Sequence, residues 1–154
     1  MNNYAYVSLL SSENYLKGIL VLNYSLKLTG TKYPLVVLIT KKVAKNKKIL
    51  KILEQEKIIV ETVKDITYCK TERESFKNSP REYLLNTASK VHIFNLNEYD
   101  KILYLDADIL VLKNLDELFS YKNGSMIESF FYKEQGEIEG DSNFFICIPK
   151  YFNF

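Results

Sequence analysis

The run Leu35-Val36-Val37-Leu38-Ile39-Thr40 carries no charge and no alternation of polar with apolar residues, the pattern of a strand buried on both faces. Such a strand needs a covering layer above and below, which restricts the chain to a sheet flanked by helices. Residues 5–10 and 101–105 read the same way, and 58–63 reads as a further strand. Between them the period changes. Tyr15, Ile19, Leu22 and Leu26 recur at helical spacing, and Gly30 is placed to stop that helix. A lysine-rich helix is predicted over 43–55, with Lys45, Lys47, Lys48 and Lys51 on a solvated face between Val43, Ile49, Leu50 and Leu53. Ser79-Pro80-Arg81-Glu82 is a capping box with proline at the first helical position, and Leu84, Ala88, Val91 and Phe94 continue a helical stripe. Residues 66–78 and 124–140 read as irregular connections, 114–119 as helix-like, and 144–148 as a last strand. The expectation is an α/β domain with a mostly parallel sheet flanked by helices, where ligands bind outside the carboxyl ends of the strands.

Size and charge narrow the classes of function. At 154 residues and 47% apolar content the chain can bury one core, so a single domain over 1–154 is expected. Its 21 basic and 19 acidic residues, net +2, give no one-sign field of the kind that draws in nucleic acid. Cys69 and Cys147 form no CxxC or Cys/His cluster, which argues against zinc and a disulfide framework. No run approaches the ~18 apolar residues of a membrane span, and Met1-Asn2-Asn3-Tyr4 does not begin a secretion signal. These features predict a cytoplasmic protein without a membrane span.

Two strand ends carry candidate chemistry. Residues 5–10 run into Ser11-Ser12-Glu13-Asn14, and 101–105 runs into Asp106-Ala107-Asp108. Two acids at the end of a buried strand repel one another and lose solvation, so they are exposed or hold a cation. In an extended segment Asp106 and Asp108 point to one side, while the small Ala107 between them lets a ligand approach. Oxygen donors in that array suit Mn²⁺ or Mg²⁺ bridged to phosphate oxygens. The same spacing after an apolar strand also fits a phosphatase of the haloacid dehalogenase type, whose first aspartate is the nucleophile. His92, the only histidine, is read as structural.

The segments AYVSLLSSENYLKGILVLNYSLKL (5–28), LVVLIT (35–40) and SKVHIFNLNEYDKILYLDADILVLKNLDELF (89–119) resemble glycosyltransferase family 8, and most of all its glycogenin-type members. The resemblance implies a GT-A (Rossmann-like) nucleotide-sugar-binding fold, shortened at the C-terminus relative to the family. It also implies transfer of a hexosyl group from a UDP-sugar, with retention and with Mn²⁺ (or Mg²⁺), to a glycan, protein or small-molecule acceptor. Carried over by position, Leu9, Ser11, Ser12 and Tyr15 fall at the uridine. Ser11 and Ser12 stand there for the more usual Thr and Asn. Arg81 and Lys90 fall near the diphosphate and sugar, Asp106, Ala107 and Asp108 at the metal and diphosphate, and Asp141 and Ser142 at the donor sugar. Asp106 and Asp108 are the metal ligands, and with Lys90 the catalytic candidates. The family's histidine metal ligand would lie beyond Phe154. A nucleotide-sugar-binding module without turnover is therefore the alternative expectation.

Overall fold

The structure, a computed structural model, describes residues 2–66, 88–121, 126–132, 138–147 and 149, with 126–132 and 138–147 as backbone. The elements run β1 (Tyr4–Leu10), α1 (Leu16–Leu28), β2 (Leu35–Thr40), α2 (Lys41–Ala44), α3 (Lys47–Gln55), β3 (Ile59–Val63), β4 (Lys101–Leu105), β5 (Met126–Tyr132) and β6 (Ile138–Cys147). Short 3-10 helices occupy Glu13–Tyr15, Ala88–Asn95 and Asp116–Ser120. Among the described residues one sheet of six strands has the order β3-β2-β1-β4-β6-β5. The first four of these strands are parallel; β6 pairs antiparallel with β4, and β5 antiparallel with β6.

The strands sort their side chains by alternation. Tyr6, Leu10, Val37, Ile39, Leu103 and Leu105 point to one face, where Ile19, Leu22 and Leu26 of α1 and Ile49 and Leu53 of α3 cover them. Ala5, Val7, Leu9, Val36, Leu38, Ile102 and Tyr104 point to the other, covered by Ile93, Leu96 and Tyr99. The double coverage expected from the uncharged run is found in β2, where every residue is buried. β3 is an edge strand and half exposed.

Several expectations need correction. The single helix over 43–55 is two helices, because Asn46 leaves helical geometry and caps α3, accepting from the N–H groups of Lys48 and Ile49. Residues 79–87 lie outside the described residues, and beyond them 88–95 is a 3-10 helix that buries Ser89 and Ile93, while Val91 is exposed. Of the stripe through Ala88, Val91 and Phe94, Ala88 is partly buried and Phe94 packs against the core, whereas Val91 faces solvent. Part of the stretch over 124–140 is strand, and the last strand begins at Ile138 rather than 144. In α1, Ile19, Leu22 and Leu26 are buried as predicted, but Tyr15 sits in the preceding 3-10 turn and is 41% exposed. The helix ends at Leu28, and Gly30 adopts φ 71, a conformation that costs other residues dearly.

Candidate active site at the sheet switch point

From β1 the chain moves outward to β2 and β3, then returns to lay β4 on the opposite side of β1. That reversal opens a crevice between the carboxyl ends of β1 and β4, the place where open α/β sheets bind ligands. Ser11 and Ser12 leave β1 there, and Asp106 leaves β4. Val7 pairs with Tyr104 in the parallel register, so the two exits are neighbours. Thr40, at the end of β2, donates its hydroxyl to the Ser11 carbonyl at 3.3 Å and caps α2. The Ser12 hydroxyl accepts from the Asn14 N–H. Both serines are partly exposed, Leu9 is buried in the core, and Tyr15 is exposed.

The aspartates are not in extended chain. A turn closes at Asp106, whose carbonyl accepts from the Ile109 N–H at 3.2 Å. Strand alternation puts Asp106 on the face of Tyr104 and Ala107 on the face of α1. Ala107 is 8% exposed and belongs to the α1-side core, so its side chain packs inward and only its backbone is open to a ligand. Asp108 is exposed.

Helix α1 is the bed on which this turn lies. A Cβ on Gly18 would run into the Ala107 carbonyl oxygen. Further along, the Ser25 hydroxyl accepts from the Val111 N–H at 3.2 Å, and Asn114 donates to the Thr29 carbonyl at 3.1 Å. The chain after β4 is therefore fastened along the length of the helix. The close approach at Gly18 was not read from the sequence, although a glycine inside a helical pattern was a visible signal of it.

On the opposite face Asp106 gathers the charges of the site. Lys90, from the 88–95 3-10 helix, puts its ammonium 2.6 Å from Asp106 Oδ1, a pair in which both side chains are partly buried. The same ammonium lies 5.2 Å from the centre of the Tyr104 ring, a cation–π distance. The Tyr104 hydroxyl donates to the same Asp106 Oδ1 at 2.8 Å. Burial, then the negative charge of Asp106 and its hydrogen bond, then the charge of Asp108, push the Tyr104 phenol far up.

Among the described residues no three acidic, histidine or cysteine side chains are grouped to hold a metal. Asp106 and Asp108 alone fit a hard divalent cation as oxygen donors. Asp106 already bonds one cation, the Lys90 ammonium, so its environment tolerates positive charge. Arg81 lies outside the described residues. Asp141 and Ser142 are in β6, and since Phe144 pairs with Leu105, the backbone that precedes Phe144 extends past the carboxyl end of β4, beside the point where Asp106 departs. His92 Nε2 lies 2.8 Å from the Lys64 carbonyl oxygen.

The model of the family described as Glycosyl transferase family 8 matches residues 6–154. The chain belongs to glycosyltransferase family 8. Members it resembles include human glycogenin-1, 36% identical over 77% of this chain and 33% of the relative. Galactinol synthase 7 of Arabidopsis thaliana is 34% identical over 78% of this chain and 35% of the relative. This family 8 chain thus spans about a third of the length of those relatives. Its fold is shared with the galactosyltransferase LgtC, solved with donor and acceptor sugar analogues, at a TM-score of 0.64 and 17% identity over 95% of this chain and 58% of that one. The fold is a GT-A arrangement. Family membership removes the phosphatase alternative.

Proposed function

We propose that this chain forms the donor site of a glycosyltransferase that moves a hexosyl group from a UDP-sugar, with retention and with Mn²⁺ or Mg²⁺, to a glycan, protein or small-molecule acceptor. The observation that carries the reading is the pairing of Lys90 with Asp106 at the switch-point crevice, with Asp108 two residues further on in the same turn and Ser11 and Ser12 at the neighbouring strand exit. Ser11, Ser12 and Tyr15 form the wall for the uridine, backed by the buried Leu9, with the serine hydroxyls available to its polar edge. Asp106 and Asp108 hold the cation. When bound, the cation supplies Lewis-acid neutralisation of the departing diphosphate. Lys90 sits where an ammonium can offset the same charge on the donor. Arg81, by its position in the family pattern, belongs with it, and Asp141 and Ser142 border the sugar. Among the described residues no helix is long and apolar enough to cross a membrane.

A second reading, nucleotide-sugar binding without turnover, is favoured by one observation: the Asp106 carboxylate, one of the two proposed metal ligands, is already paired with the Lys90 ammonium. One experiment separates the two. Mn²⁺-dependent release of UDP from a panel of UDP-sugars is measured for the wild-type chain and for Asp108→Ala, beside calorimetry with UDP and Mn²⁺. Turnover that Asp108→Ala abolishes supports the transferase; unchanged turnover in that variant refutes the role given to Asp108. Binding without release in the wild type selects the second reading.

A further inference from the structure

We infer that Tyr104 is a positioning residue for the cation site, its hydroxyl holding Asp106 by one oxygen so that the other is presented to the metal. The inference rests on the reading of Asp106 as a metal ligand. Asp106 Oδ1 accepts from both Tyr104, at 2.8 Å, and Lys90, at 2.6 Å, whereas no described residue bonds Oδ2.

The two donors differ in how firmly they are held. Tyr104 is 1% exposed, inside β4 between β1 and β6, and packed in the core layer with Val7 and Ile93. Its ring has nowhere to go. Lys90 reaches Asp106 through four methylenes from a short 3-10 helix, and its side chain is 32% exposed; a flexible stem of that kind releases its partner easily. With a divalent cation bound, the Lys90 ammonium would be repelled from Asp106, whereas the neutral Tyr104 phenol would stay in place. Tyr104 thus fixes the rotation of the Asp106 carboxylate about its last bond, as partners of metal-binding carboxylates do elsewhere, where their loss typically weakens metal binding 10–100-fold.

The test is Tyr104→Phe in the full chain, which removes the hydroxyl and keeps the ring. Mn²⁺ affinity is read from the electron paramagnetic resonance of free Mn²⁺ in the presence of UDP, UDP affinity is read by calorimetry in EDTA, and the melting temperature is recorded. The expected result is Mn²⁺ binding weaker by about 10-fold, with metal-free UDP affinity and melting temperature close to wild type. Wild-type Mn²⁺ affinity in the variant overturns the inference while leaving the donor site standing. Parallel loss of Mn²⁺ binding, UDP binding and thermal stability also overturns it, since the hydroxyl would then serve the fold. If the wild-type chain itself binds no Mn²⁺, the inference falls together with the function on which it rests.

Discussion

The Asp116 carboxylate illustrates how much a single partly buried acid can organise. It accepts from the Tyr6 hydroxyl at 2.7 Å, the Thr31 hydroxyl at 2.5 Å and the Lys32 N–H at 3.0 Å, while its own N–H is held by Asn114. These contacts join the middle of β1, the turn after α1 and the chain after β4. Burial raises its pKa, but the bonds from Thr31, Lys32, Tyr6 and Asn114 outweigh that and leave it lowered. A carboxyl whose folded pKa lies below its unfolded value stabilises the protein above about pH 4 and stops doing so as pH falls through the folded value. Asp116→Asn is therefore expected to cost about 1–3 kcal/mol at neutral pH and to flatten the loss of stability between about pH 5 and pH 2. Urea denaturation of both proteins across that range measures it; parallel pH profiles would contradict it. Tyr6 responds in the opposite sense, since burial and Asp116 push its phenol up. Nothing in the sequence announced this cluster, whose members lie up to 110 positions apart.

At the scale of elements, legibility followed burial. β1, β2 and β4 are enclosed on both faces, so apart from Ser8, Thr40 and Lys101 their residues are apolar and the sequence alone located them. β5 and the first half of β6 carry Glu128, Glu139, Gly140 and Asp141, which break any strand-like pattern. Pairing with a neighbour, rather than composition, makes them strands. The Asp106-Ala107-Asp108 exit was legible because two acids interrupt an apolar strand, but its turn geometry depends on α1. Gly18 is where that dependence concentrates. Gly18→Ala would force the turn and the helix apart, a strain worth about 1–3 kcal/mol. The displacement falls on the backbone between the two aspartates. The expected outcome is a modest fall in melting temperature with a larger proportional loss of Mn²⁺ binding, seen by calorimetry. A variant that melts lower yet binds Mn²⁺ as before would separate the helix contact from the site.

For the molecule as a whole, the uncharged run of β2 and the alternation of strand and helix were enough to specify a covered, largely parallel sheet, and hence which end of it would be functional. The wiring was not accessible that way. The order β3-β2-β1-β4 is set by which strands pair, and the crevice exists because β4 returns to the far side of β1. Lys90 and Asp106 approach it from different elements, and their meeting has a consequence for how the protein takes up its ligands. The lysine is a resident competitor: it occupies the carboxylate that a free cation would seek, and it is also the group that an incoming diphosphate would draw away. Metal and nucleotide are then thermodynamically linked, each lowering the cost of admitting the other, by a coupling of about 1–3 kcal/mol that must be the same in both directions. Replacing the competitor, as in Lys90→Met, should let Mn²⁺ alone bind more tightly while erasing most of the mutual enhancement with UDP. A calorimetric cycle of Mn²⁺ and UDP, in both orders of addition, reads that coupling directly, and equal coupling in the variant and the wild type would rule the competitor out.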